Sequence, residues 1–118
     1  MRLNTTTRKL EAVLDAAGTD VIFFVESTDV GDTVNFRDRG LTTITASTGA
    51  TKVTICPAPN QGVSRNIEHV TAYNGNAATR IVTIQIDDNG TTRIRYAISL
   101  LPTESAEWSL ARGWQTVT

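Results

Sequence analysis

The stretch from Arg80 to Leu101 constrains this chain more than any other, because two apolar stripes of period two run through it and meet at a turn. Val82, Ile84 and Ile86 alternate with Thr83 and Gln85. Beyond Asp88-Asn89-Gly90, the residues Ile94, Tyr96, Ile98 and Leu100 alternate with Arg93, Arg95 and Ser99. Residues two apart in an extended chain share a face, so this is a β-hairpin with one dry side. A two-residue Asn89-Gly90 turn would set Ile84 opposite Arg95, whereas a three-residue Asp88-Asn89-Gly90 loop sets Ile84 opposite Ile94 and Val82 opposite Tyr96. Each large apolar side chain turned the wrong way forfeits roughly 1.5 to 3 kcal/mol. The sequence therefore predicts the three-residue loop, with Gly90 in the left-handed position of a bulged turn.

Other segments extend the same pattern. Arg8 to Leu14 fits a helix face through Leu10, Val13 and Leu14, but its Thr-rich approach favours a strand. Val21 to Glu26 is β-branched and aromatic, with Val21, Phe23 and Val25 on one side and Ile22 and Phe24 on the other, which predicts a strand contacted on both faces. Residues 27–51 loosen into Thr, Gly, Asp and Ser around Phe36, Leu41 and Ile44, and read as a long loop or as a loop holding a short strand near Leu41 to Ala46. Lys52 to Pro57 is a strand closed by a Pro- and Gly-rich connection. In Ser64 to Tyr73, the residues Ile67, Val70 and Ala72 break strict alternation, which predicts a bulge near Glu68-His69. Asn74-Gly75-Asn76 turns the chain into the hairpin and Leu101-Pro102-Thr103-Glu104 turns it out. Strands around Ala106 to Leu110 and Trp114 to Val117 follow. Seven or eight short strands with turn signals every 8 to 12 residues define an all-β chain, a single-domain antiparallel β-sandwich of jelly-roll-like type over 1–118. An N-terminal arm, 1–8, is expected to extend from it.

With 118 residues and a formal net charge of -1, the chain is sized for one core and lacks the clustered Lys and Arg that nucleic acid or an anionic membrane attracts. The apolar run Val21 to Val25 is far shorter than the roughly 20 residues that span a bilayer. The opening Met1 to Thr7 lacks the apolar core of a secretory signal, from which assembly in a cytoplasm is expected.

Residues that could carry chemistry are sparse. Cys56 is the single cysteine and stands between apolar neighbours and Pro57, which reads as a small residue at a strand end. His69 is the single histidine, so a two-His metal site is excluded. Glu11, Asp15, Glu26, Asp29 and Asp32 could meet in space as paired acids, but no spacing pairs any two of them. Asp87-Asp88-Asn89-Gly90 lacks the later glutamate of a calcium loop and is explained by a tight turn. No Gly-rich phosphate loop occurs. The expectation is a non-enzymatic chain with no catalytic residue, cofactor or metal. Its candidate contact residues are Arg80, Arg93 and Arg95, read as one row on the polar face of the hairpin, with Trp108 and Trp114, which are either core caps or stacking platforms.

Tyr73-Asn74-Gly75-Asn76-Ala77-Ala78-Thr79-Arg80, the strand to Asp87-Asp88-Asn89-Gly90-Thr91-Thr92-Arg93, then Leu101-Pro102 and Gly113-Trp114, resemble small β-rich virion proteins of tailed bacteriophages and their prophage relatives. Asn4 to Glu11 shares the likeness, which covers roughly half the chain. Such proteins often carry Gly-Asp or Gly-Glu where this chain has Thr103-Glu104. The resemblance implies a structural role on a virion assembled in a bacterial cytoplasm: a capsid decoration or cement protein, or the base of a head fibre. It implies a symmetric homo-oligomer, a trimer by preference, bound to the major capsid protein or another virion protein. The alternative is a tail-tip or fibre module binding a host surface glycan through Trp108 or Trp114.

Overall fold

The computed structural model describes residues 1–16, 20–31, 33 and 38–117, including the backbone of residues 94 and 95. Two antiparallel sheets pack face to face. Sheet A runs in the order β10 (Gly113–Val117), β9 (Ser105–Ser109), β6 (Val63–Asn74), β3 (Val21–Gly31), β4 (Arg39–Ala46), and β1 (Arg2–Leu3) also pairs with β6. Sheet B runs β5 (Val53–Cys56), β2 (Arg8–Leu14), β7 (Arg80–Asp88), β8 (Thr91–Leu100). The β-sandwich is as expected, with ten strands among the described residues where seven or eight were anticipated. The pairs β3–β4, β7–β8 and β9–β10 are hairpins within one sheet, and every other connection crosses between sheets.

Alternation explains the core. Leu10, Ala12 and Leu14 from β2, Val82, Ile84 and Ile86 from β7, and Ile98 and Leu100 from β8 face Val21, Phe23 and Val25 from β3, with Ile67, Val70 and Ala72 from β6. All are buried, and burial of each large one stabilises the fold by roughly 1.5 to 3 kcal/mol.

The hairpin corrects the sequence-based register. Asn89 (φ 51°) and Gly90 (φ 91°) both lie in the left-handed region, and Asp88 pairs with Thr91, so the turn has two residues and not three. Positive φ at both central positions suits Asn-Gly, and this turn matches the right-handed twist of the strands it joins. Such a turn would bring Ile84 opposite Arg95. A register shift prevents it: Gln85 pairs with Ile94 but Ile84 pairs with Tyr96, leaving Arg95 as the extra residue of a bulge. One unpaired residue restores Ile84 against Tyr96 and Val82 against Ile98. Gly90 adopts positive φ as predicted, while the parity of the stripe is repaired by the bulge. The bulge expected on β6 is present at Glu68, between the pairs Glu26–His69 and Ser27–Ile67. A third register shift, between Leu10 and Glu11, leaves Ile55 of β5 unpaired.

Residues 27–51 hold more strand than the sequence suggests, because β3 continues to Gly31 and β4 spans eight residues. Asp32 and Phe36 lie outside the described residues. The N-terminal segment is docked against the sandwich. Leu3 is fully buried, β1 pairs with Asn66 and Arg65, and Met1 O accepts the Ile67 N–H at 2.8 Å. Further on, Arg8 Nε and Thr7 Oγ1 donate to the Asp88 carboxylate at 3.0 and 2.9 Å.

Candidate interaction surface

Directly opposed residues in a sheet share a face, so the pairings define what the outside of sheet A displays. Ile22 lies between Ala46 and Tyr73, and Phe24 between Ile44 and Thr71. The result is a cluster of Ile22, Phe24, Ile44, Ala46 and Tyr73, drawn from three strands and turned away from the core. Ile44 is 71% exposed, Tyr73 41% and Ile22 38%. Glu26, beside Thr42 and His69, and Glu107, beside Thr71 and Gln115, border it with acidic groups. His69 Nε2 stands 3.4 Å from Glu107 Oε1, so this rim pairs when the imidazole is protonated. An isolated exposed leucine or isoleucine is ordinary, but a contiguous apolar group with a polar border marks a contact surface. Its one sequence signal was the two-sided apolar character of Val21 to Val25.

The expected arginine row is not assembled. Arg80 pairs with buried Leu100 and Arg93 with buried Ile86, at opposite ends of the hairpin and on its core-side parity. They therefore do not project beside Thr83 and Gln85, and the side chain of Arg95 lies outside the described residues. The parity of β7 puts Arg80 on the face of Val82 and Ile84, and the two-residue turn puts Arg93 opposite Ile86, where a three-residue loop would have set it opposite Gln85. The indoles also face inward. Trp108 pairs with Val70, a core residue, and Trp114 pairs with Trp108. The Trp114 ring stacks on Tyr96 of sheet B with centroids 5.0 Å apart and planes 10° from parallel, joining the two sheets. Both indoles are half-buried against the core, as caps.

Polar groups near the core are engaged in structure. Arg65 donates Nε and Nη2 to the two oxygens of Asp29 at 2.7 and 3.0 Å, and Nη1 to Pro57 O at 2.6 Å, which ties sheet A to the exit of β5 in sheet B. The Asp29 hydrogen bonds push the Arg65 pKa further up, so the guanidinium stays charged. Burial pushes the Cys56 thiol up, outweighing the lowering by Arg65 and Ser27, which keeps it protonated and poorly nucleophilic at neutral pH. Glu11, 5% exposed, lies near Lys9 Nζ (3.6 Å), Lys52 Nζ (4.0 Å) and Gln85 Nε2 (3.4 Å) on the outer side of sheet B. Glu68 sits on its bulge and accepts from Thr28 Oγ1 at 2.7 Å, so bulging does not turn it into a partner for His69. Among the described residues no group of three or more His, Cys, Asp or Glu is placed to hold a metal ion.

Asn74 organises the turns on either side of the β7–β8 hairpin. It is fully buried; Nδ2 donates to Leu100 O at 2.9 Å and Ala78 O at 3.0 Å, while Oδ1 accepts the Asn76 N–H at 2.9 Å. Its own N–H reaches Glu104 O (3.0 Å) and its carbonyl accepts from Thr103 N (2.8 Å). One side chain thus binds the turn entering β7 to the turn leaving β8, which gives the motif Tyr73 to Arg80 and the motif Leu101-Pro102 a shared structural task. Comparison with known protein families, curated proteins and solved structures finds no match to this chain.

Proposed function

We propose that this chain is a non-enzymatic structural protein of a tailed-phage or prophage-derived virion, a capsid decoration or cement protein or the base of a head fibre. On this reading it works as a symmetric homo-oligomer that binds the major capsid protein or another virion protein. The observation that carries the reading is the exposed apolar cluster of Ile22, Phe24, Ile44, Ala46 and Tyr73 on an otherwise regular sheet. Covering such a surface is favourable at roughly 25 cal/mol per Å² of apolar area, and many copies on a particle add avidity to modest single contacts. The virion assignment itself comes from the turn and strand motifs around Asn74 and Leu101-Pro102. Binding of a glycan by an exposed indole finds no support in the inward orientation of Trp108 and Trp114.

The test is quantitative mass spectrometry of purified particles from cells that carry the gene, followed by cryo-EM of the same particles. Many copies per particle are expected, and Ile22→Asp or Tyr73→Glu should reduce that number while leaving the soluble protein folded. Particles that form normally without the chain among their components would refute the assignment.

A further inference from the structure

We infer that the outer edge of β4 pairs with the same edge of a second copy of this chain, antiparallel and about a two-fold axis at Ile44. Of the preceding reading it takes only self-association. Sheet A ends at β4, and among the described residues no backbone group pairs with its outer edge. The direction of its amides can be read from one hydrogen bond. Ser47 donates its backbone N–H to Val21 O at 2.8 Å, one step beyond the Ile22–Ala46 pair. Each residue of an antiparallel strand sends N–H and C=O to the same side, and successive residues alternate. Ser47, Thr45, Thr43 and Leu41 therefore bond toward β3, whereas Ala46, Ile44 and Thr42 present both groups at the open edge.

Exposed strand edges are usually blunted by charge, proline, bulges or shortness. The other edges have such devices: β5 is four residues long and runs into Pro57 and Pro59, β8 carries the Arg95 bulge, β10 has five residues, and β1 has two. β4 has eight, and Leu41-Thr42-Thr43-Ile44-Thr45-Ala46 contains no charge and no proline. This segment is also self-complementary. An axis at Ile44 sets Ile44 opposite its copy and Thr42 opposite Ala46 of the second copy, so each of these points its amide and carbonyl at the other chain, with Thr43 and Thr45 as the non-hydrogen-bonded pair between them. Arg39 falls past the paired segment, and no charge meets its like. The most exposed residue of the apolar cluster gains its own copy as a cross-strand neighbour, and the clusters of the two copies join across a continuous sheet. Such a contact uses the same patch on both chains and closes with two copies, so the unit is a dimer in place of the trimer that the resemblance implies.

Size-exclusion chromatography with light scattering at tens of micromolar chain tests this directly. The wild type is expected at about twice the 12.8 kDa of one chain. Thr42→Pro removes an outward N–H without touching the ladder to β3, and Ile44→Lys sets like charges against each other. Each should halve the mass with unchanged circular dichroism. Ile44→Cys should be joined across the two chains by a short bis-maleimide, since the Cα atoms of opposed hydrogen-bonded residues lie about 5.5 Å apart. Glu26→Cys, on the same face but one strand inward, should not, and native Cys56 is buried. A one-chain or three-chain wild-type mass, survival of the doubled mass in either edge variant, or failure of Ile44→Cys to cross-link overturns the inference. The particle assay reads composition and not mass, so the two readings fail separately.

Discussion

Thr103 is the position where the fold holds a side chain against its conformational preference. Its φ is 64°, in the left-handed region, within a turn in which Pro102 precedes it and Glu104 N donates to Leu101 O at 3.0 Å. Proline followed by a residue of positive φ is the pattern of a type II turn, which favours glycine at the second position. The turn cannot relax, because Thr103 N also donates to Asn74 O at 2.8 Å. A residue with a Cβ costs roughly 1 to 2 kcal/mol in this conformation, and β-branching places threonine toward the upper end. The side chain is exposed and, among the described residues, its hydroxyl makes no hydrogen bond, so truncation loses no contact. Against the relief stands the greater freedom of glycine in the unfolded chain, roughly 0.5 to 1 kcal/mol. Thr103→Gly should therefore stabilise the protein by about 0.5 to 1.5 kcal/mol, a rise in Tm of roughly 2 to 6 °C for a domain of this size. Thr103→Ala, which keeps the Cβ, should recover less than half of that. Gly90→Ala should move the other way by about 1 kcal/mol, since φ is 91° there and an added Cβ meets nothing within 4 Å, leaving backbone strain as the sole cost. Urea titration and calorimetry of the three variants measure the effects. A Thr103→Gly protein no more stable than wild type, or an alanine variant equal to the glycine one, would refute the assignment of strain to φ.

Asn74→Ala should cost about 2 to 4 kcal/mol in urea unfolding, because it deprives Leu100 O and Ala78 O of a buried donor and unties the two turns. Asp29→Ala should cost about 3 to 5 kcal/mol by leaving the Arg65 guanidinium, whose side chain is 9% exposed, without its carboxylate. Replacing both together, Asp29→Leu with Arg65→Met, should recover most of that loss in the same assay. Hydrogen bonds from Arg8 and Thr7 hold the Asp88 carboxyl below the usual carboxylate range. A folded-state pKa lowered in this way contributes stability above the unfolded value of about 4 and loses it as pH falls through the folded value. Protection factors of the amides in residues 4–8, which correct for the intrinsic slowing of exchange in acid, should therefore fall as the pH is lowered below about 4, and Asp88→Asn should remove that dependence.

The local periodicities of the chain determined most of the strands, though not the extent of β3 or β4, and also where β6 bulges and that Gly90 takes positive φ. Each follows from residues within a few positions of one another, because the alternation of faces and the steric limits on φ are properties of short backbone stretches. The composition of Val21 to Val25 likewise announced a strand with two apolar faces. What covers or exposes the second face was decided only by pairing with β4 and β6, which brings Ile44 and Tyr73, 22 and 51 positions from Ile22, beside it. The same is true of the hairpin. Asn89-Gly90 and the apolar stripes make incompatible demands on register, and the conflict is resolved at Arg95, several residues from the turn, because burying Ile84 against Tyr96 is worth more than one continuous ladder. The two-residue turn took Arg93 off the outer face, and the meeting of β10 with β8 across the sandwich turned Trp114 onto Tyr96. Positions on a face are inherited from sequence, but neighbours across strands are set by the packing of both sheets onto one core, where the largest apolar burial selects among the registers that the local patterns leave open.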